Sequence, residues 1–143
     1  MKNLLIILLM VGTLGPICAQ VAPKAVVVAI GQKEVKCNSF NNFTCLGFSW
    51  WRGSDYTGLF EGAKKDVREN YPSSETIVTK SGYGNYLIVI SSDVKNETCN
   101  RTFIGVGIGV DANEALKKAK NDMPYMWDEN KYGYRTIVDR SVQ

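Results

Sequence analysis

The chain has 143 residues with 17 basic and 14 acidic side chains, four cysteines and no histidine. Without imidazole there is no Ser-His-Asp or Cys-His catalysis, no histidine general base and no histidine-ligated zinc. The charges are few and scattered, which argues against a nucleic-acid stripe and against disorder.

The first residues read as a leader. Lys2 precedes an unbroken apolar run from Leu4 to Val11, Gly12 to Pro16 break it, and Ala19 offers a small residue for cleavage. Eight apolar residues fall far short of the roughly 20 needed to span a bilayer, so no stable membrane span is expected. Cys18 follows Gly15-Pro16-Ile17, which departs from a lipoprotein pattern; cleavage after Ala19 is expected and a lipid anchor at Cys18 is not. A signal peptide over 1–19 is therefore expected ahead of one small domain over 20–143, secreted or periplasmic, the leader having a bacterial style. With the leader's single lysine removed, 16 basic and 14 acidic side chains remain, a net +2.

The elements follow in order. Ala25 to Ile30 is a β-rich run and Thr44 to Trp51 a second strand. A helix capped by Ser54 or Asp55 carries Phe60, Ala63, Val67 and Tyr71 on one face and stops before Pro72. Glu75 to Lys80 is a third strand, and Ser81 to Asn85 has turn composition. Tyr86 to Ile90 is a strand, Asp93 to Asn100 a polar turn, and Arg101 to Val110 a strand. Asp111 and Glu114 form a capping box for a helix with Ala112, Ala115, Leu116, Ala119 and Met123 on its apolar face. Arg135 to Arg140 is the last strand.

Strand–strand–helix–strand thus occurs twice, over 25–81 and 86–141. Short echoes suggest a duplicated β-β-α-β unit: Thr76 to Ser81 with Thr136 to Ser141, Glu61 to Lys65 with Glu114 to Lys118, and Thr44-Cys45 with Thr98-Cys99. The fold expected is α+β, a largely antiparallel sheet with two helices on one face.

In an oxidising compartment Cys37, Cys45 and Cys99 imply one disulfide and one spare thiol. Cys37 and Cys45 flank a polar loop and are the expected pair; Cys45–Cys99 and a fully reduced chain are the alternatives. Ile104-Gly-Val-Gly-Ile-Gly-Val110 does not match the dinucleotide fingerprint. As a strand it puts Gly105, Gly107 and Gly109 on one face and the large residues on the other, expected under the helices. Bare backbone signals a close approach, by another layer of the protein or by a ligand. Trp50 and Trp51 point to opposite faces; if Trp50 joins Leu46 and Phe48 inward, Trp51 faces out beside Gly47 and Ser49.

Trp51, Tyr56, Gly105, Gly107, Gly109 and Trp127 are the candidate binding residues, Trp127 lying in an aromatic segment with Tyr125, Tyr132 and Tyr134. No catalytic set, metal site or cofactor is expected. Asp122, Asp128 and Glu129 share one loop without forming an evident pair, and the sequons at Asn42, Asn96 and Asn100 read as polar loops. The functional expectation is a non-enzymatic module that binds a protein or an envelope glycan, not nucleic acid. The alternatives are a small hydrolase working through carboxylates and a structural envelope protein.

Overall fold

The computed structural model describes residues 21–37, 42–96 and 99–143. The expected leader, with Cys18, lies outside the described residues. The elements are β1 (Lys24–Glu34), β2 (Phe43–Gly53), α1 (Leu59–Asn70), β3 (Thr76–Gly84), β4 (Tyr86–Asn96), β5 (Cys99–Gly109), α2 (Ala112–Asn121), α3 (Glu129–Tyr132) and β6 (Arg135–Ser141).

The fold is α+β and every strand pairing is antiparallel. The strands form two three-stranded sheets, ordered β2-β1-β3 and β5-β4-β6. Each half therefore has the same order, with its first strand in the centre. Both central strands are buried on both faces, which is why Ala25 to Ile30 and Leu87 to Ile90 read as continuous apolar runs rather than alternating ones. Even-numbered Val26, Val28 and Ile30 meet Leu87, Val89, Val106 and Ile108 between the sheets. Odd-numbered Ala25, Val27 and Ala29 pack under Leu59, Ala63 and Val67 of α1. Ile88 and Ile90 pack under Ala115 and Ala119 of α2 and under Met123 just beyond its end.

The layers are helix, sheet, sheet, helix. This changes the expectation of two helices on one face: the chain has enough apolar strand surface for two sheets, and each sheet shields its outer face with its own helix. The stretches 81–84 and 93–96, expected as turns, continue β3 and β4. Helix α1 starts later than expected. Asp55 accepts the Thr57 backbone N–H at 2.8 Å and so caps a turn, while Gly58, at φ 72°, leads into Leu59. Asp111 caps α2 as expected, accepting the Glu114 N–H at 2.8 Å.

Ile104, Val106 and Ile108 of β5 do not lie under α2. Ile108 and Val106 face the other sheet, and the three glycines face the helix. A Cβ at Gly107 would fall inside the backbone of Ala115, and one at Gly109 would sit 2.7 Å from the Ala115 nitrogen. The glycine stripe is thus the bed on which Ala115 and Ala119 rest, letting helix and strand backbones approach closely.

The outer edge of β5 is closed by side chains. The Thr102 N–H donates to Thr44 Oγ1 at 2.9 Å, the Ile104 N–H to the Cys45 sulfur, and the Val106 N–H to Asp122 Oδ2 at 3.1 Å. Lys118 Nζ donates to the Ile108 carbonyl at 2.9 Å, and the Val110 N–H to Glu114 Oε2 at 2.7 Å. A bare edge templates strand addition, and this one is blunted along its length.

The disulfide joins Cys37 to Cys99, with Cα atoms 5.7 Å apart, and Cys45 is free. The expected Cys37–Cys45 bridge fails because Cys45 lies on β2 itself, where a bulge opposite Gly31 and Gln32 turns it towards the inter-sheet core. Cys99 opens β5, so the bridge staples the two halves instead of one hairpin.

Candidate functional site

The bulge also settles the facing of β2. With Leu46 as the extra residue, Phe48 and Trp50 turn to the inter-sheet core, and Gly47, Ser49 and Trp51 turn to α1. The alternation holds for Trp50 and Trp51, but Leu46 stays outside the core.

Trp51 lies across Gly62 in the first turn of α1; a Cβ there would meet the indole ring at 2.7 Å. Its Nε1–H donates to Asp66 Oδ2 at 2.6 Å, and Ser49 Oγ donates to the same oxygen at 3.0 Å. The ring is thereby fixed in place while 42% of the residue stays exposed. Helix propensity disfavours an interior glycine by about 1 kcal/mol relative to alanine. Gly62 is what lets the indole lie flat on the helix.

Comparison of the two halves shows how each closes its strand–helix interface. Glu61 and Glu114 both stand in the first turn of their helices, so Gly62 and Ala115 occupy matching positions. In the first half a large strand residue, Trp51, sits on a helix glycine. In the second a strand glycine, Gly107, sits under a helix alanine. The second arrangement buries the interface completely; the first leaves an aromatic ring at the surface.

The other expected binding residues are dispersed. Tyr56 turns to Phe60 and meets Tyr83 edge-on at 4.9 Å, forming a second, partly exposed aromatic group. Gly105, Gly107 and Gly109 are buried beneath α2 and line no surface, because the close approach they permit is taken by the protein's own helix. Trp127 packs against the α2 core, donates to the Gly133 carbonyl at 3.2 Å and meets Tyr134 edge-on at 6.3 Å. Trp51 alone joins exposure to a fixed orientation. Asp66, which fixes it, escaped the sequence reading; the usable signal was a glycine inside the helix that directly follows the tryptophan's strand.

The seam between the sheets holds a second feature. Lys80 of β3 pairs with Asp122 at 2.6 Å, tying the first half to the end of α2. Beside it is a cavity of about 120 Å³ lined by Ile30, Phe43, Cys45, Val78 and Phe103. Burial raises the Cys45 thiol pKa, and hydrogen bonds from Gln32 and from the Ile104 N–H only partly offset this. A raised thiol stays protonated and unreactive.

The acids are committed singly. Asp122 holds Lys80 and the Val106 N–H, Asp128 caps α3 through Asn130 and Lys131, and Glu129 pairs with Lys120 at 2.7 Å. Glu114 is held below the usual glutamate range by Lys118 and by the Val110 N–H. Asp55 is lowered by its bonds from Thr57. A general-acid carboxyl needs the opposite shift. Among the described residues no group of three cysteine, aspartate or glutamate side chains is placed to hold a metal ion. Compared with protein-family models, curated proteins and solved structures, the chain matches none.

Proposed function

We propose that this chain is a non-enzymatic, exported binding module that engages a protein or an envelope glycan on the face shared by β2 and α1, centred on Trp51. The observation that carries this reading is the clamped indole: Trp51 is 42% exposed, yet Gly62 and Asp66 hold it in one orientation. A large aromatic that is already ordered loses little side-chain entropy on binding, and tryptophan is the residue most enriched at binding hot spots. Its flat ring suits either a sugar face or an apolar anchor of a protein partner.

Export is supported by the leader-like start of the sequence and by the Cys37–Cys99 disulfide, which persists in oxidising compartments. Among the described residues no helix is long and apolar enough to cross a membrane. The test is a glycan array together with a pull-down from envelope extract, run with the wild type and Trp51→Ala. The reading expects at least one specific ligand whose signal falls ten-fold or more in Trp51→Ala; indistinguishable profiles overturn the site.

A further inference from the structure

A different cleft, of about 290 Å³, opens beside the second half of β4. It exists because β4 outruns its neighbour: β6 pairs with β4 only from Tyr86 to Ser91, while β4 continues to Asn96. The chain entering β6 bends away at Gly133, where φ is 63°. Ser91 lines the cleft and is only 3% exposed, and its hydroxyl has no hydrogen-bond partner among the described residues. The adjacent Ser92 hydroxyl, by contrast, donates to the Gly133 carbonyl at 2.7 Å. The Ser91 hydroxyl is open to the cleft and available to a ligand that enters it.

The walls are braced. Tyr132 and Tyr134 line the cleft, with Lys131 4.9 Å from the first ring centre and Lys120 4.8 Å from the second. Asp93 and Arg135 close one side in a long ion pair of 3.6 Å, both side chains being well exposed.

We infer that this cleft binds one ring of a neutral sugar. The lining itself carries one carboxylate and one guanidinium, and of the two flanking lysines Lys120 is paired with Glu129, leaving Lys131 as the added cation whose effect the comparison with phosphate reads. A sugar ring needs acceptors and donors in close succession and an apolar C–H face. Asp93 accepts, Arg135 donates, Ser91 does either, and the tyrosine rings supply the apolar contact. The volume lies at the lower end for small-molecule sites, which suits a single ring. An extended peptide would need the edge of β4 beyond Ser91, and the bond from Ser92 to Gly133 closes the start of that edge. The cleft is built from residues other than those of the Trp51 face, so it stands whether or not that face binds.

The test is an NMR titration of the protein with glucose, galactose and N-acetylglucosamine, with inorganic phosphate as comparison. One sugar is expected to saturate in the millimolar range, moving the amide signals of Ser91, Ser92, Asp93, Gly133, Tyr134 and Arg135. Arg135→Met should weaken binding at least ten-fold and Ser91→Ala about three-fold, while Trp51→Ala leaves it unchanged. Ser91→Ala removes a hydroxyl that holds nothing in the fold, so its effect is not one of misfolding. No saturable shift with any sugar, shifts that survive both variants, or tighter binding of phosphate at the same signals would each overturn the inference. Sugar shifts centred on Trp51 would also overturn it, while supporting the Trp51 face.

Discussion

Replacing Gly107 with alanine adds one methyl group, and the structure places that methyl inside the backbone of Ala115. Neither atom set belongs to a flexible side chain, so β5 and α2 must separate along a contact that buries Ala115, Ala119 and Met123. Overpacking of this kind costs about 1–3 kcal/mol, and a backbone clash belongs at the top of that range. The lost flexibility of glycine in the unfolded chain returns about 0.5–1 kcal/mol, leaving a net loss of about 2 kcal/mol. For a domain of this size that lowers the melting temperature by roughly 8 °C. Gly82→Ala is the control, since its Cβ would meet Ile108 at an ordinary 3.4 Å, and its melting temperature should stay level or rise. Ala115→Gly should not rescue Gly107→Ala, because the clash is with the carbonyl and not with the side chain. Thermal unfolding by circular dichroism reads all three. A Gly107→Ala protein melting with the wild type would refute the placement of the glycine stripe under α2.

Three further outcomes follow from the geometry. Asp66→Ala should cost about 1 kcal/mol in urea unfolding by leaving the Trp51 and Ser49 donors without their acceptor, and should broaden the Trp51 indole N–H signal; an unchanged signal contradicts the clamp. Cys37→Ser should lose up to about 4 kcal/mol, since the bridge spans 62 residues, whereas Cys45→Ser should leave one intact disulfide by mass spectrometry. Glu114 has a lowered pKa in the fold, mainly through Lys118, so its contribution is present above the ordinary glutamate pKa and is lost as pH falls through the lower folded value. Urea titrations below pH 5 should therefore show a smaller pH-dependent loss for Glu114→Gln than for the wild type.

Much of the fold was legible because local signals agreed with the global arrangement. The Asp111 cap, the apolar faces of both helices and the two runs of β-branched residues each lead to the observed element. The strand–strand–helix–strand order, read twice, reappears as two sheets with matching strand order. Periodicity could not say which side of β5 meets the helix, since two apolar layers were available and the sequence alone suggested one. The cysteine pairing was hidden by the single extra residue at Leu46, which rotates Cys45 out of reach of the hairpin. The Thr44-Cys45 and Thr98-Cys99 echo misleads for the same reason, as one cysteine is free and the other bridged. At the candidate site Trp51 was legible as an outward tryptophan, but Asp66 and Gly62 were not, because only the packed helix brings them to it.

Binding of a partner at the Trp51 face can be read on the complex itself. Hydrogen–deuterium exchange on the complex with whichever ligand the array identifies tests it most directly. New protection is expected in residues 47–51 and 62–70; protection confined to other surfaces, with those segments unchanged, would rule out binding at this face.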